Sequence, residues 1–414
     1  MQEREISLLM HYLDDVFPRQ FPFHGTAHLG KREWLLAILS STKAVYYATL
    51  SLSLLQKEAC LDSTDQEQGL IWREEKTRYY ILALQESQQL LQGLGSHTGK
   101  DGLQGHINAL ANTVQLISFE ASCLSRGDWQ LHLRAGTSLI PTLMDSWKLV
   151  LNSHRTPSSV WNRLDASNFG LRSTGDALSF EYIGALRFFT NILVVFGILS
   201  GVSVGPTSPF QEYRYLMDHH AGLIQIDQVI GCQNWVMSTI LEVGMLDQWK
   251  REEQTNHRLS LKELTRRATS IETALEDGIQ ESSGGARVDL ITSIYATATL
   301  TYLHSIVSGL NPSLSEIQES VSRTVILLKQ LPDAGVLASL AWPLCITGCM
   351  ASPDREEFLT NLVRSTEVRQ QALRNGWYVF DIMENAWKSR DHPIQQSVSW
   401  EDLINGYNPP TLLV

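Results

Sequence analysis

Between Arg187 and Glu212 the chain reads Phe188-Phe-Thr-Asn-Ile-Leu-Val-Val-Phe-Gly-Ile-Leu-Ser-Gly-Val-Ser-Val-Gly-Pro-Thr-Ser-Pro-Phe-Gln211, 24 residues without a charge. A helix that crosses a membrane needs ~20 predominantly apolar residues. This run is interrupted by Asn191, Ser200, Gly201, Ser203, Gly205 and Pro206. It therefore reads as a helix buried in a protein core, and no membrane span is expected. Outward from it, most of the chain fits amphipathic segments of roughly 10 to 30 residues joined by polar or glycine-containing loops. The expected helices are Ile6 to Phe17, Lys31 to Ala59, Glu67 to Leu94, Gly105 to Ser125, Asp128 to Ser153, Phe180 to Gly201, Tyr213 to Val229 and Asn234 to Glu253. They continue with Leu259 to Glu276, Leu290 to Ser308, Leu314 to Leu331, Gly335 to Met350, Arg355 to Asn375 and Trp377 to Ser389. Alternating βα units are absent, which disfavours a doubly wound sheet. The expected fold is all-α, one large helical domain over residues 1–414 with a central apolar cavity.

Composition narrows the function. Of 414 residues, 43% are hydrophobic and 19% charged, which suits a globular chain and not a disordered one. A formal charge of −11, from 33 basic and 44 acidic residues, gives no basic footprint for a phosphate backbone, so direct nucleic-acid binding is not expected. The five cysteines, Cys60, Cys123, Cys232, Cys345 and Cys349, are odd in number, and the last two lack a second pair to complete a zinc site. A reducing compartment follows. The start Met1-Gln-Glu-Arg-Glu-Ile6 places charges where a signal peptide has an apolar run, so an intracellular protein is expected. The loops at Gly93 to Gly105, Ser153 to Asp176 and Asp277 to Arg287 are too short for interdomain linkers, and no repeat of 34 to 47 residues is visible.

Three motifs invite chemistry and do not sustain it. Gly201-Val-Ser-Val-Gly205 matches the Gly-x-Ser-x-Gly nucleophile elbow, yet an apolar helix precedes it where a strand is required, so it reads as a helix end. Asp14-Asp15 has no third acid three or four residues on and reads as a solvated helix end. His219 and His220 are adjacent, and neighbouring side chains on a helix diverge by ~100°, so they do not share a metal easily.

The segment Ile230-Gly-Cys-Gln-Asn-Trp-Val-Met-Ser-Thr-Ile-Leu-Glu-Val-Gly-Met-Leu-Asp-Gln-Trp-Lys250 carries more. Asn234, Ser238 and Glu242 stand four residues apart, and each step advances ~40° beyond a full turn, so their oxygens form an oblique row two turns long. Magnesium prefers oxygen ligands and is commonly completed by substrate phosphates, so the row suits a Mg²⁺-diphosphate site. Lys250, two further steps of four along, reads either as a second contact to the diphosphate or as a C-terminal lysine complementing the helix dipole. Arg187 lies 47 residues before Asn234 in an apolar setting, where a charge needs a partner: a diphosphate or a structural ion pair.

The spacing of Asn234, Ser238 and Glu242 resembles the Asn-Ser-Glu motif of class I terpene synthases, and Arg187 stands near the separation at which those enzymes place a diphosphate-sensing arginine. A second resemblance covers about Ser7 to Leu403. His11-Tyr-Leu-Asp-Asp-Val-Phe-Pro-Arg-Gln-Phe-Pro-Phe23, Ala185-Leu-Arg-Phe-Phe-Thr190, Ile230-Gly-Cys-Gln-Asn-Trp-Val-Met237, Leu246-Asp-Gln-Trp-Lys250 and Leu340-Ala-Trp-Pro-Leu-Cys-Ile-Thr-Gly-Cys-Met350 resemble the fungal-specific regulatory domain of fungal Zn₂Cys₆ transcription factors. No Cys-x₂-Cys-x₆-Cys cluster or basic arm precedes the domain here. In that respect the chain is similar to the stand-alone fungal α-humulene synthases of tropolone-sesquiterpenoid pathways, in which a lysine late on the metal-binding helix is implied in diphosphate capture; Lys250 is the matching position.

The resemblance implies a cytoplasmic, Mg²⁺-dependent sesquiterpene cyclase that converts farnesyl diphosphate to an α-humulene-type hydrocarbon. Lys250 and Arg187 would stabilise the departing diphosphate, and Asn234, Ser238 and Glu242 would hold the metal. Trp235, Phe188, Phe189 and Leu246 would line a chamber for the farnesyl cation. The alternative is a nuclear regulator without its zinc cluster, acting as a ligand-sensing or protein-interaction module. Either is compatible with a homodimer.

Overall fold

Three consecutive hydroxyl side chains decide how the chain enters its first long helices. Ser40 and Ser41 return their hydroxyls to the carbonyls of Leu36 and Ile38, each at 2.7 Å, which closes one helix. Thr42 then accepts from the amide of Val45 at 3.3 Å and opens the next. Such side chains offer the backbone an alternative to continued helix, so they favour boundaries. The single helix expected over Lys31 to Ala59 is accordingly two, Glu33–Leu39 and Lys43–Ala59, bent by 108°.

The structure is a computed structural model and describes residues 3–24, 33–61, 65–94, 99–123, 128–153, 180–205, 210–220, 222–281, 287–332, 334–369, 375–391, 399–406 and 412–413. Among these, every regular element is a helix, as expected. In order they are α1 (Glu3–His11), a π-helical turn (Tyr12–Val16), α2 (Phe17–Gln20), α3 (Glu33–Leu39), α4 (Lys43–Ala59), α5 (Gln66–Gly93), α6 (Gly99–Ser122), α7 (Trp129–Ser153) and α8 (Phe180–Val204). They continue with α9 (Phe210–His219), α10 (Asp227–Ile230), α11 (Asn234–Thr255), α12 (Leu261–Glu281), α13 (Arg287–Ser308) and α14 (Ser315–Leu328). A 3₁₀ segment (Ala334–Leu340) leads into α15 (Ala341–Cys349), followed by α16 (Pro353–Arg369), α17 (Asn375–Lys388) and α18 (Trp400–Asn405).

Several boundaries differ from the sequence expectation. The helix expected over Tyr213 to Val229 is α9 and α10 with irregular backbone between, and α10 stops at Gly231, whose φ of 76° is the left-handed conformation that glycine adopts freely. The loop expected from Asp277 is helical through Glu281. Most of the loop expected over Ser153 to Asp176 lies outside the described residues. The element α18 was not expected, although Ser399 and Asp402 form a capping box at its start.

The chain divides into two compact units, Met1–Leu193 and Val194–Val414. In the first, α4 packs on α5 and α6, and α6 on α7. Two of its buried polar contacts join distant segments: Ser53 donates to the Leu8 carbonyl at 2.7 Å, and Gln115 donates to the Tyr12 hydroxyl at 2.9 Å. In the second, α13 is the centre, in contact with α11, α12, α14 and α15. Two helical stretches, Glu181–Ser203 and Arg287–Ser308, are long and apolar enough to cross a membrane, but their most apolar windows are 94% and 83% buried in the protein. The described residues do not outline the central apolar cavity expected.

In the first unit, Glu58 on α4 receives Arg73 at 2.9 Å and Lys76, both from α5. Burial pushes the Glu58 carboxyl up, but the two cations outweigh it and hold its pKa below the ordinary 4.5. A carboxyl depressed in the fold adds stability that is fully present above its ordinary value and is lost as pH falls through the folded value. Glu58→Gln should therefore lower stability by about 1 kcal/mol at pH 7. The gap to the unsubstituted chain should shrink as pH falls below the ordinary 4.5 and through the lower folded value, as thermal melts at successively lower pH would show; a gap independent of pH would contradict the pairing.

Candidate functional site

The amide of Asn234 begins α11 and points back along the chain. Its Nδ2 donates to the Ile224 carbonyl at 2.7 Å, and its Oδ1 accepts from the Ile226 amide at 3.0 Å. The oxygen expected to meet magnesium thus clips the preceding loop to the helix. Next to it, the Gln233 backbone amide donates to Thr292 Oγ1 at 3.1 Å and its side chain to Asp289 at 3.2 Å, which fastens the start of α11 to α13.

Trp235, expected in a cation-stabilising chamber, donates its indole N–H to Gln233 Oε1 at 3.0 Å and packs its ring against Gly278 of α12. A methyl group at position 278 would stand 2.6 Å from that ring, so glycine there allows the two helices to approach. Ser238 is half-buried. Glu242 faces Arg214 of α9 at 3.6 Å and is 39% exposed. Leu246 is buried on the same helix.

Lys250 donates from Nζ to the carbonyl of Ile306 at 2.5 Å. That carbonyl belongs to the last turn of α13, where four carbonyls lack an intrahelical donor, so the lysine acts as a cap supplied by a neighbouring helix. Burial lowers its pKa. Beside it, Arg251 bridges Asp247 at 2.5 Å and Glu401 of α18 at 2.7 Å. Burial works against the charge, yet these carboxylates raise the Arg251 pKa above its ordinary value. Glu401 in turn presses on Gly205, whose φ of 98° and lack of a Cβ make room for the carboxylate. In the Gly201 to Gly205 stretch, Ser203 is fully buried and donates to the Leu199 carbonyl at 2.6 Å, a structural hydroxyl as the sequence suggested.

Arg187, Phe188 and Phe189 belong to the first unit. Phe188 sits in a cage of rings, with centroids of Phe17 at 5.5 Å, Phe21 at 5.1 Å, His24 at 4.6 Å and Trp34 at 5.4 Å. Phe189 joins it at 5.2 Å. Both are ordinary core. Arg187 is buried, and its carbonyl accepts from Asn191 at 2.7 Å. Among the described residues no group of three His, Cys, Asp or Glu could hold a metal ion. His219 stacks on Tyr215 at 4.6 Å, and Asp15 pairs with His11 at 3.0 Å. Between α9, α11 and α12 runs an open groove of about 550 Å³, lined by Arg214, Glu242, Met245, Leu246, Trp249 and Arg267, the last stacked over Trp249 at 4.1 Å.

The elements that sequence reasoning missed join distant positions. Arg251 and Glu401 lie 150 residues apart, and only the folded chain brings them together.

These are the parts of a helical scaffold whose polar residues fasten one helix to the next. The family described as fungal specific transcription factor domain matches residues 7–414, and the chain belongs to it. It is 60% identical over 416 aligned residues to a Trichoderma arundinaceum protein named trichothecene biosynthesis transcription regulator TRI10, covering 100% of this chain and 98% of that one. A Fusarium sporotrichioides protein of the same name is 51% identical over the same shares of the two chains. The ustiloxin B cluster transcription factor of Aspergillus flavus is 26% identical over 100% of this chain and 73% of its own length. No solved structure matches.

These relatives overturn the cyclase expectation. A chain that aligns end to end at 60% with a protein named as a transcription regulator is not read as a lyase on the strength of three residues at helical spacing. Farnesyl diphosphate as substrate, the α-humulene-type product and cytoplasmic catalysis fail with it. The resemblance to α-humulene synthases rested on features that sit within the regulator scaffold itself.

If Asn234 clips a loop, Asn234→Ala should cost about 2 kcal/mol by removing two hydrogen bonds. Glu242→Ala, which removes a half-exposed ion pair, should cost under about 0.5 kcal/mol. Denaturant melts of both variants distinguish this from a shared ligand role, and equal, small losses would contradict it.

Proposed function

We propose that the chain regulates transcription in fungal secondary metabolism, controlling genes of trichothecene biosynthesis from within the nucleus. The observation that carries this reading is the identity of 60% and 51%, over essentially the whole of both chains, to proteins named as regulators of that pathway. The engagement of Lys250 and Arg251 in helix-to-helix contacts, and of Asn234 in fastening a loop to its helix, fits a scaffold that presents surfaces.

The regulator works through other proteins and not through direct duplex contact by these residues. A net charge of −11 supplies no counterion-releasing face, and the five cysteines are not spaced as a Cys-x₂-Cys-x₆-Cys cluster. Fungal promoters would then be reached by way of a DNA-bound partner.

Two experiments test the reading. Deleting the gene in its host should lower transcripts of the trichothecene biosynthesis genes, and reintroducing it should restore them; transcripts unchanged by deletion would contradict the proposal. The purified chain should bind duplex DNA no better than an acidic control protein at ~0.15 M salt. Tight, sequence-specific binding by these 414 residues alone would contradict action through a partner.

A further inference from the structure

The α5 helix runs for 28 residues, and the side chains it buries fully are Tyr79 and Ala83. Its outer face carries apolar groups in water: Leu70 is 63% exposed, Ile71 47% and Ile81 48%. Glu74 and Arg78 are exposed between them. At ~100° per residue, positions 70, 71, 74, 78, 81 and 82 fall within an arc of about 120°, so they form one stripe. The stripe borders an open groove of about 970 Å³ that Arg4 of α1 helps to line. Arg4 pairs with Glu75, and α1 adds two more exposed apolar side chains, Ile6 and Met10. Contiguous exposed apolar surface rimmed by charge marks an interaction site.

We propose that this stripe is the interface with a second copy of the chain, formed by antiparallel pairing of α5 with α5 about a two-fold axis level with Lys76. The argument is charge complementarity. In a two-fold interface each residue faces one at an equal distance on the other side of the axis, and every contact occurs twice. With the axis at position 76, Leu70 faces Leu82, Ile71 faces Ile81, and Glu74 faces Arg78. In this register apolar side chains face apolar ones and acid faces base. Arg78 is already ordered, with its guanidinium 5.1 Å over the Tyr79 ring. Lys76, on the axis, is turned away to Glu58 and does not face its own copy. A partner of another kind would have to match the same alternation by coincidence, whereas a second copy matches it by symmetry. The inference stands independently of the transcriptional reading.

Sedimentation equilibrium of the full 414-residue chain tests it. The chain should be a dimer. Glu74→Arg and Arg78→Glu should each raise the dimer dissociation constant about tenfold or more, because each creates two like-charge contacts. The double variant E74R/R78E should return to within about threefold of the original, since the reversed pairs are again complementary. Both positions, 74 and 78, are exposed, and circular dichroism should show unchanged helix content. A monomer at every concentration, including one that binds some other protein through this face, would overturn the proposal. So would a dimer that both single reversals leave intact.

Discussion

A helix buried on nearly every side has no water to satisfy its polar groups, and that constraint organises the second unit. In α13, 14 of 22 residues are buried, among them Thr292, Thr297, Thr299, Thr301 and Ser305. Each of these hydroxyls has a protein partner. Thr299 donates to the Tyr295 carbonyl at 2.7 Å, Thr301 to Ser320 of α14 at 2.8 Å, and Ser305 accepts the Trp400 indole at 2.7 Å. Thr292 receives the Gln233 amide. Burial raises the pKa of Tyr295 and Tyr302 well above the ordinary tyrosine range, and Tyr295 donates to the Ser339 carbonyl at 2.6 Å. Burying a polar group without a bond costs several kcal/mol, so each hydroxyl is met either by a carbonyl of α13 itself, as at Thr299, or by a group that a neighbouring element delivers, as at Thr292, Thr301 and Ser305. Lys250 capping Ile306 is the last of these deliveries, and it places α11.

That placement explains why a polar row on α11 looked like a metal site. An amide at a helix start, a carboxylate two turns on and a lysine two turns beyond are the residue types a diphosphate site needs. They are also the types that clip a loop, pair across helices and cap a helix end. Periodicity records only that they lie near one another on a helix; it does not record which neighbour each one meets. Asn234 meets Ile224 and Ile226, Glu242 meets Arg214, and Lys250 meets Ile306.

The helical class was legible because long apolar-periodic runs are robust to error, and the uncharged run after Arg187 was read correctly as a protein-buried helix. The bend at Ser40 to Thr42 and the short α18 carried local capping signals that could have been read. The Arg251–Glu401 bridge and the cage around Phe188 could not, since they join positions far apart in sequence and nothing local marks them. The function was legible only as one of two alternatives on a shared scaffold, and identity along the whole chain favours the regulator over the cyclase.

With Asn234, Lys250 and Arg251 engaged in holding the scaffold together, function is left to its surface. Under the proposed function, trichothecene genes would respond to where this chain is brought and what it brings with it. The most direct measurement is chromatin immunoprecipitation of the tagged chain from its host while the pathway is active. The account predicts enrichment at promoters of the trichothecene biosynthesis genes, because crosslinking captures a regulator held there through protein partners. A chain found in the cytosol and absent from those promoters would contradict it.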